Sequence, residues 1–227
     1  MIDKEYNKIL KQYHKLSDRH ILVVETDMPY SDVLKVVNLS DQIRKAGNEL
    51  IGLMRKNYDQ LMRTKRYRKL LFLYGNTEDK DKRRIYANQL NEMQKAYHVT
   101  WDYCRKSMIP IGKKYGVDAV FALTKAEDVW RGTEKCLYDN GNTIHFSKYG
   151  ELPCIRAKQI NRGIPMSVKD DKLQFKLGKT AFGIQVNDRF QQDEVNAILS
   201  YLTKSEIVDH KAVNTLMEDA YCIDTYR

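Results

Sequence analysis

The sequence predicts an α+β protein in which an α-helical lobe is inserted into a small antiparallel β-barrel, with a C-terminal helical segment. Three observations predict it. A compact β-branched run from His20 to Thr26 stands alone near the start of the chain. A long middle stretch then repeats apolar residues at helical spacing. From about residue 141, short alternating segments cut by Gly and Pro take over. A single early strand cannot bury its faces alone, so its partners must come from the later strands, with the helices as an excursion between them. The expected divisions are 1–29 (an arm and the first barrel strand), 30–140 (the helical lobe), 141–190 (the rest of the barrel) and 191–227 (acidic C-terminal helices or linker).

Taken in order, residues 1–18 read as a short, lysine-bearing helical arm and residues 20–26 as the strand. Tyr30-Ser31-Asp32 offers a helix N-cap. The apolar set Val33, Val36, Val37, Ile43, Ala46, Leu50, Met54, Tyr58 and Leu61 then follows helical spacing. Gly47 and Gly52 interrupt it, at a cost of about 1 kcal/mol each relative to Ala. Each marks either the close approach of another backbone or a tolerated defect. Residues 79–97 form a second amphipathic pattern, with Ile85, Leu90, Met93 and Tyr97 on the buried side. Residues 99–115 form a third, which Pro110 should break or kink. Residues 118–138 bring Val120, Phe121, Leu123, Val129, Trp130 and Leu137 for packing. Residues 143–147 and 153–157 read as the two strands of a hairpin turning through Lys148-Tyr149-Gly150. Further strands are expected at 166–169, 172–177 and 180–186, and helices at 191–202 and 205–221.

The charge is unevenly distributed. The chain carries a formal net charge of +9, yet residues 51–114 alone hold 16 Lys and Arg against 6 Asp and Glu. Residues 191–227 hold 7 acids against 3 cations. A basic helical middle followed by an acidic tail raises the expectation of a polyanionic partner without naming it. The four cysteines, Cys104, Cys136, Cys154 and Cys222, form no Cys-x-x-Cys pair, and with five scattered histidines give no zinc spacing. Reduced thiols are therefore expected. Residues 1–19 are polar and no apolar run reaches transmembrane length. The expectation is a soluble, cytoplasmic chain with no membrane partner.

Catalytic signatures are missing. No phosphate-binding loop, dinucleotide fingerprint, nucleophile elbow or His-Glu-x-x-His occurs. His98 and Asp102 have the spacing to pair on a helix, a pattern more common at helix surfaces than in catalysis. His145 reads as packed or exposed rather than reactive. Glu127 and Asp128 are neighbours that point about 100° apart on a helix, and Asp224 is a single carboxylate. A two-metal centre needs several oxygen ligands converging on ions about 4 Å apart. No catalytic residue, metal ligand or cofactor is expected.

Nucleic-acid binding is the function the residues favour. Cationic helices bind phosphates and release counterions, Arg adds bidentate contacts, and aromatic rings stack on bases. The densest run packs Arg63, Lys65, Arg66, Arg68 and Lys69 around Tyr67, with Leu70-Leu71-Phe72 following at once. Arg83, Arg84, Arg105, Lys106, Lys113, Lys114 and the pair Trp130-Arg131 repeat the signal along the helices. Lys148, Tyr149, Arg156, Lys158, Gln159 and Arg162 repeat it in the hairpin region. A solvated face of a basic protein would look the same locally. Two other readings stay open: a self-contained RNA-binding or regulatory protein, and a basic protein-interaction, inhibitor-like domain.

The order of features resembles the N-terminal half of TnpB-type transposon-encoded RNA-guided nucleases and their compact relatives, the type V CRISPR effectors. The segment 142–159 with Asn161-Arg162-Gly163-Ile164 is similar to the barrel hairpin of such proteins. Asn48-Glu49-Leu50 and Thr64-Lys65-Arg66-Tyr67-Arg68 look alike as well. The resemblance spans nearly the whole chain but rests on soft patterns. It implies a wedge-like β-barrel opened by residues 21–26, a recognition lobe over 33–138 and the rest of the barrel over 143–188. It also implies a cytoplasmic, bacterial or phage-encoded protein whose partners are guide RNA and target DNA. In that family a RuvC-like nuclease domain with three acidic metal ligands follows, and this sequence ends near where it would start. The expectation is thus either a fragment of a longer effector or a nuclease-less relative, with the nuclease domain of a longer chain or a second protomer as a further partner. On either view base pairing reads sequence while protein reads backbone shape and a short duplex motif.

Overall fold

The computed structural model describes residues 25–138, 141, 143–151, 154–157, 162–170, 172–205 and 221–223. They divide into two compact units. The first is helical. Helix α1 (Tyr30–Arg63) runs 34 residues and is followed by α2 (Lys65–Asn76), α3 (Lys80–Ala96), α4 (Trp101–Lys114) and α5 (Ala119–Tyr138). α5 packs against α1 and α4, α1 packs against α4, and α2 pairs with α3. Strands β2 (Ile155–Ala157) and β7 (Tyr221–Ile223) pair antiparallel in the same unit, in register Ile155 to Ile223.

Helix boundaries follow local chemistry. The Asp79 carboxylate accepts from the backbone N–H groups of Asp81 (3.0 Å) and Lys82 (3.1 Å), so α3 starts where its cap dictates. Thr100 Oγ1 accepts from Tyr103 N, and Asp118 Oδ1 from Val120 N, at the heads of α4 and α5. α1 departs from expectation: its cap is Pro29, whose carbonyl accepts from Asp32 N (2.8 Å), and Ser31 and Asp32 already lie within the helix. His98, in the left-handed region at φ 59°, ends α3 and stacks on Tyr103 at 4.6 Å. Asp102 is held instead by Arg105 and Lys106. Pro110 does not break α4, which continues through it to Lys114 with the proline on an exposed position.

Of the two α1 glycines, Gly47 marks a close approach, of a side chain rather than backbone: a Cβ there would collide with the Lys125 side chain of α5, whereas a Cβ on Gly52 would make only ordinary contact with the Phe146 ring at 4.0 Å. Phe146 belongs to residues 143–148, which form a strap rather than the first strand of a hairpin. Among the described residues the expected hairpin does not form: β2 pairs with β7, at the far end of the sequence. What holds the strap is Asn48. Its Nδ2 donates to the Ser147 carbonyl (2.8 Å) and its Oδ1 accepts from the Ser147 N–H (2.9 Å). One side-chain amide thereby gives Ser147 the pairing a neighbouring strand would have supplied.

The second unit holds β1 (Glu25–Thr26), β6 (Ile184–Gln185), most of the sheet formed by β3 (Met166–Lys169), β4 (Lys172–Leu177) and β5 (Thr180–Phe182), and helix α6 (Arg189–Ser205). The early strand takes its partner from the end of the sheet region, as expected: Glu25 pairs with Gln185 and Thr26 with Ile184. The expected strand 180–186 is split at Gly183, because β5 pairs with β4 while β6 pairs with β1. Gly183 N donates to Asp27 Oδ1 at 2.5 Å, and a Cβ there would meet that carboxylate at 2.7 Å. The Phe175 and Phe182 rings stack at 5.8 Å, and Val195 of α6 is buried.

Among the described residues the strands form three small sheets and do not close a barrel. The α+β class stands at that level. The expected helix over 205–221 is corrected at its end, where Tyr221–Ile223 is a strand: a short aromatic and β-branched run finds β2 and its fully buried Ile155. Residues 1–24 and 206–220, which carry the arm, most of the first strand's expected span and the rest of that helix, lie outside the described residues. Cys104 and Cys136 are free and buried. Cys154 is disulfide-bonded, which corrects the expectation of reduced thiols, since strand pairing unites residues that sequence spacing keeps apart. No described helix is long and apolar enough to cross a membrane.

Replacing Asn48 with Ala should lower stability by about 1–3 kcal/mol, the cost of stranding the Ser147 amide and carbonyl. Hydrogen exchange at Ser147 N–H should accelerate while the α5 amides keep their protection. Burial pushes the Cys104 thiol from its ordinary value near 9 up to about 12. The folded chain keeps a proton that the unfolded chain loses, so this contribution is complete below about pH 9 and disappears as pH rises toward 12. In urea titrations the wild type should lose stability over that window relative to Cys104→Ala.

Candidate nucleic-acid interface

The basic run is split by the break between α1 and α2. Arg63 ends α1, and Thr64 forms the joint: its Oγ1 donates to the Gln60 carbonyl (3.2 Å) and meets the Tyr97 hydroxyl (3.1 Å). α2 then turns about a fully buried Tyr67. Tyr67 and Leu70 pack with Leu61, Leu90, Val99 and Leu137, flanked by partly buried Tyr58, Tyr74, Met93 and Trp130. The Tyr67 hydroxyl accepts from Gln94 Nε2 at 2.9 Å, and Gln94 Oε1 accepts from the Tyr138 hydroxyl at 3.1 Å. Burial raises the Tyr67 pKa, with the Gln94 contact partly offsetting it. Tyr67 is therefore core and unavailable to a base. Trp130 is partly buried and packs on this cluster.

With Tyr67 and Leu70 turned inward, helical spacing places Lys65, Arg68, Lys69 and Phe72 on the opposite face, at i, i+3, i+4 and i+7. All four are exposed, and Arg66 is exposed beside them. Phe72 is 68% exposed, a large ring set among cations. It lies inside the apolar run Leu70-Leu71-Phe72-Leu73, yet the helical period counted from Tyr67 puts it outside. α2 holds four cations and no acid. Two of them, Lys65 and Arg66, occupy the first turn, where the helix dipole disfavours positive charge. Among the described residues Arg63, Lys65, Arg66, Arg68 and Lys69 have no ion-pair partner.

The remaining predicted residues divide. Arg83 and Arg84 are exposed on α3, next to α2 in the helical pair, and the Arg83 guanidinium lies 4.9 Å from the Tyr74 ring centroid of α2. The expected burial of Ile85 does not occur; it is more than half exposed. On α4 three of the four cations have an acid partner. Arg105 and Lys106 share Asp102, and Lys114 donates to Glu49 at 2.6 Å, holding that carboxyl below its usual range with help from the Tyr115 hydroxyl. Lys113 is exposed and has no ion pair among the described residues. Arg131 is exposed on α5. Arg156 on β2 is bound to Asp128 of α5, which takes it out of the free set. Lys148 and Tyr149 stand at the tip of the 148–151 turn, Tyr149 being 92% exposed with Arg44 at 5.6 Å from its ring. Arg162 is exposed; Lys158 and Gln159 lie outside the described residues.

Among the described residues the structure thus gathers unpaired cations on α2, with Arg83 and Arg84 beside them on α3, while on α4 Arg105, Lys106 and Lys114 have acid partners. Among the described residues no three His, Cys, Asp or Glu side chains group as metal ligands. Comparison with protein-family models, with curated proteins and with solved structures finds no match to this chain.

Two aromatic substitutions separate core from surface. Tyr67→Phe should cost about 1–3 kcal/mol by leaving the Gln94 amide without its acceptor, and should leave nucleic-acid affinity of the folded protein unchanged. Phe72→Ala should leave the melting temperature unchanged and weaken single-strand binding by about 1–3 kcal/mol, the worth of one stacked base. Parallel thermal melts and fluorescence anisotropy read both.

Proposed function

We propose that this chain is the non-catalytic nucleic-acid-binding part of an RNA-guided DNA-targeting effector, holding guide RNA, target-adjacent DNA and the guide–target heteroduplex. The observation that carries it is the α2 face: cations without acids, unpaired, and interleaved with an exposed ring. Such a face matches a phosphate backbone flanked by bases. A surface serving only solubility would mix both signs, as α4 does with Asp102.

The architecture supports the same reading. A strand that finds its partner across an intervening set of five helices is the arrangement expected of a recognition lobe inserted into a wedge-like barrel. On this proposal α1–α5 are the counterpart of that lobe, and β1 with β3–β6 contribute to the barrel.

The test is a salt titration. Replacing Lys65, Arg68 and Lys69 with Gln should reduce the slope of log affinity against log salt by about 0.7–0.9 for each phosphate that the variant no longer neutralises. The pair Arg105→Gln and Lys106→Gln should change it less. Equal slopes for wild type and the α2 variant would remove α2 from the interface. A structured guide RNA should bind more tightly than a random hairpin of equal length, and equal affinities would reduce the function to sequence-independent binding.

A further inference from the structure

An open cleft of about 450 Å³ lies within the helical unit, and no residue of α2 is among its lining. It is walled by α1, by α5 and by the strap that Asn48 holds. Its size falls within the roughly 300–1,000 Å³ of small-molecule sites, and its lining is of two kinds. Ile51, Val129 and Ile144 supply apolar surface, while Lys125, Lys135 and Asp128 supply charge.

Lys125 is the unusual member. It is half-buried and makes no hydrogen bond or ion pair with any described residue. Its aliphatic stem lies against α1 where Gly47 has no Cβ to oppose it. Burial lowers its pKa, Asp128 partly opposes that effect, and Arg156 adds to it. Asp128 cannot neutralise Lys125 fully because it is already bound to Arg156. A partly desolvated cation without a matched anion costs free energy, and Lys135 adds a second positive charge to the same cleft. The lining therefore calls for an anion larger than phosphate alone, with a flat apolar part to cover the aliphatic wall.

We propose that the cleft binds one phosphorylated nucleotide, its phosphate held by Lys125 and its base laid on Ile51, Val129 and Ile144, with Lys135 adding positive potential further along α5. The nucleotide is either free or the 5′-phosphorylated end of a strand. The site shares no residue with the α2 face and stands apart from the function proposed for it.

Isothermal titration of the full chain with AMP, adenosine and orthophosphate tests the site. AMP should bind at least tenfold more tightly than either fragment. Lys125→Met keeps the stem and removes the charge; it should leave the melting temperature equal or higher and weaken AMP at least tenfold. Gly47→Ala should do the same to AMP by displacing the Lys125 stem, an adjustment a flexible side chain can make without unfolding. A 5′-phosphorylated oligonucleotide that displaces AMP when its 5′-hydroxyl counterpart does not assigns the site to a strand end; displacement by neither assigns it to a free nucleotide. Orthophosphate binding as tightly as AMP, AMP affinity unchanged in Lys125→Met, or no AMP binding by the wild type would each overturn the proposal. The Lys65, Arg68 and Lys69 variant should retain AMP binding, so weaker long-RNA affinity there leaves this site intact.

Discussion

The buried contact between Tyr67 and Gln94 fixes how α2 is rotated, and much of the surface chemistry depends on that rotation. A tyrosine with no exposed surface must satisfy its hydroxyl inside the protein. Gln94 does so from α3 while accepting from Tyr138 of α5. Three helices are thereby tied at one point, each through a partner with a defined direction. Once Tyr67 faces inward, the helical period leaves Lys65, Arg68, Lys69 and Phe72 no other side to occupy.

That constraint explains which charges remain available. Arg105, Lys106 and Lys114 on α4 find acids one turn away or across the α1–α4 contact, which offsets part of their field within the fold. α2 has no acid of its own and exposes its cations to solvent. Positive charge in its first turn works against the helix dipole, so the arrangement is not one that folding stability alone would favour. Local conflict of this kind is where function tends to reside.

Much of this was legible in the chain itself. The periodic apolar set from Val36 to Leu61 became α1, whereas the caps at Asp79, Thr100 and Asp118 were not singled out and the expected cap at Tyr30-Ser31-Asp32 lies inside α1. The turn at Gly178 and the pattern of residues 166–177 became β3 and β4 at their expected bounds. Long-range partners were hidden. Nothing in the strap sequence says that an asparagine 99 positions earlier replaces a strand partner for Ser147, and nothing near Ile155 says that its partner is Ile223. Tyr67 looked like a stacking ring because it sits among cations, whereas its position in the helical period places it inside. Arg156 looked free for the same reason, since composition cannot reveal Asp128 beside it.

The pairing of β1 with β6 has a consequence during synthesis. Thr26 and Ile184 are joined across more than 150 intervening residues, and a ribosome adding about 5–20 residues per second needs roughly 8–30 s to traverse that distance. Throughout this interval β1 has emerged without the strand it must meet, and the sequence of α1–α5 is complete only once Tyr138 has been added. The five helices are thus available to pack before β1 and β6 can pair, and the β2–β7 pair, which needs residues 221–223, follows later still.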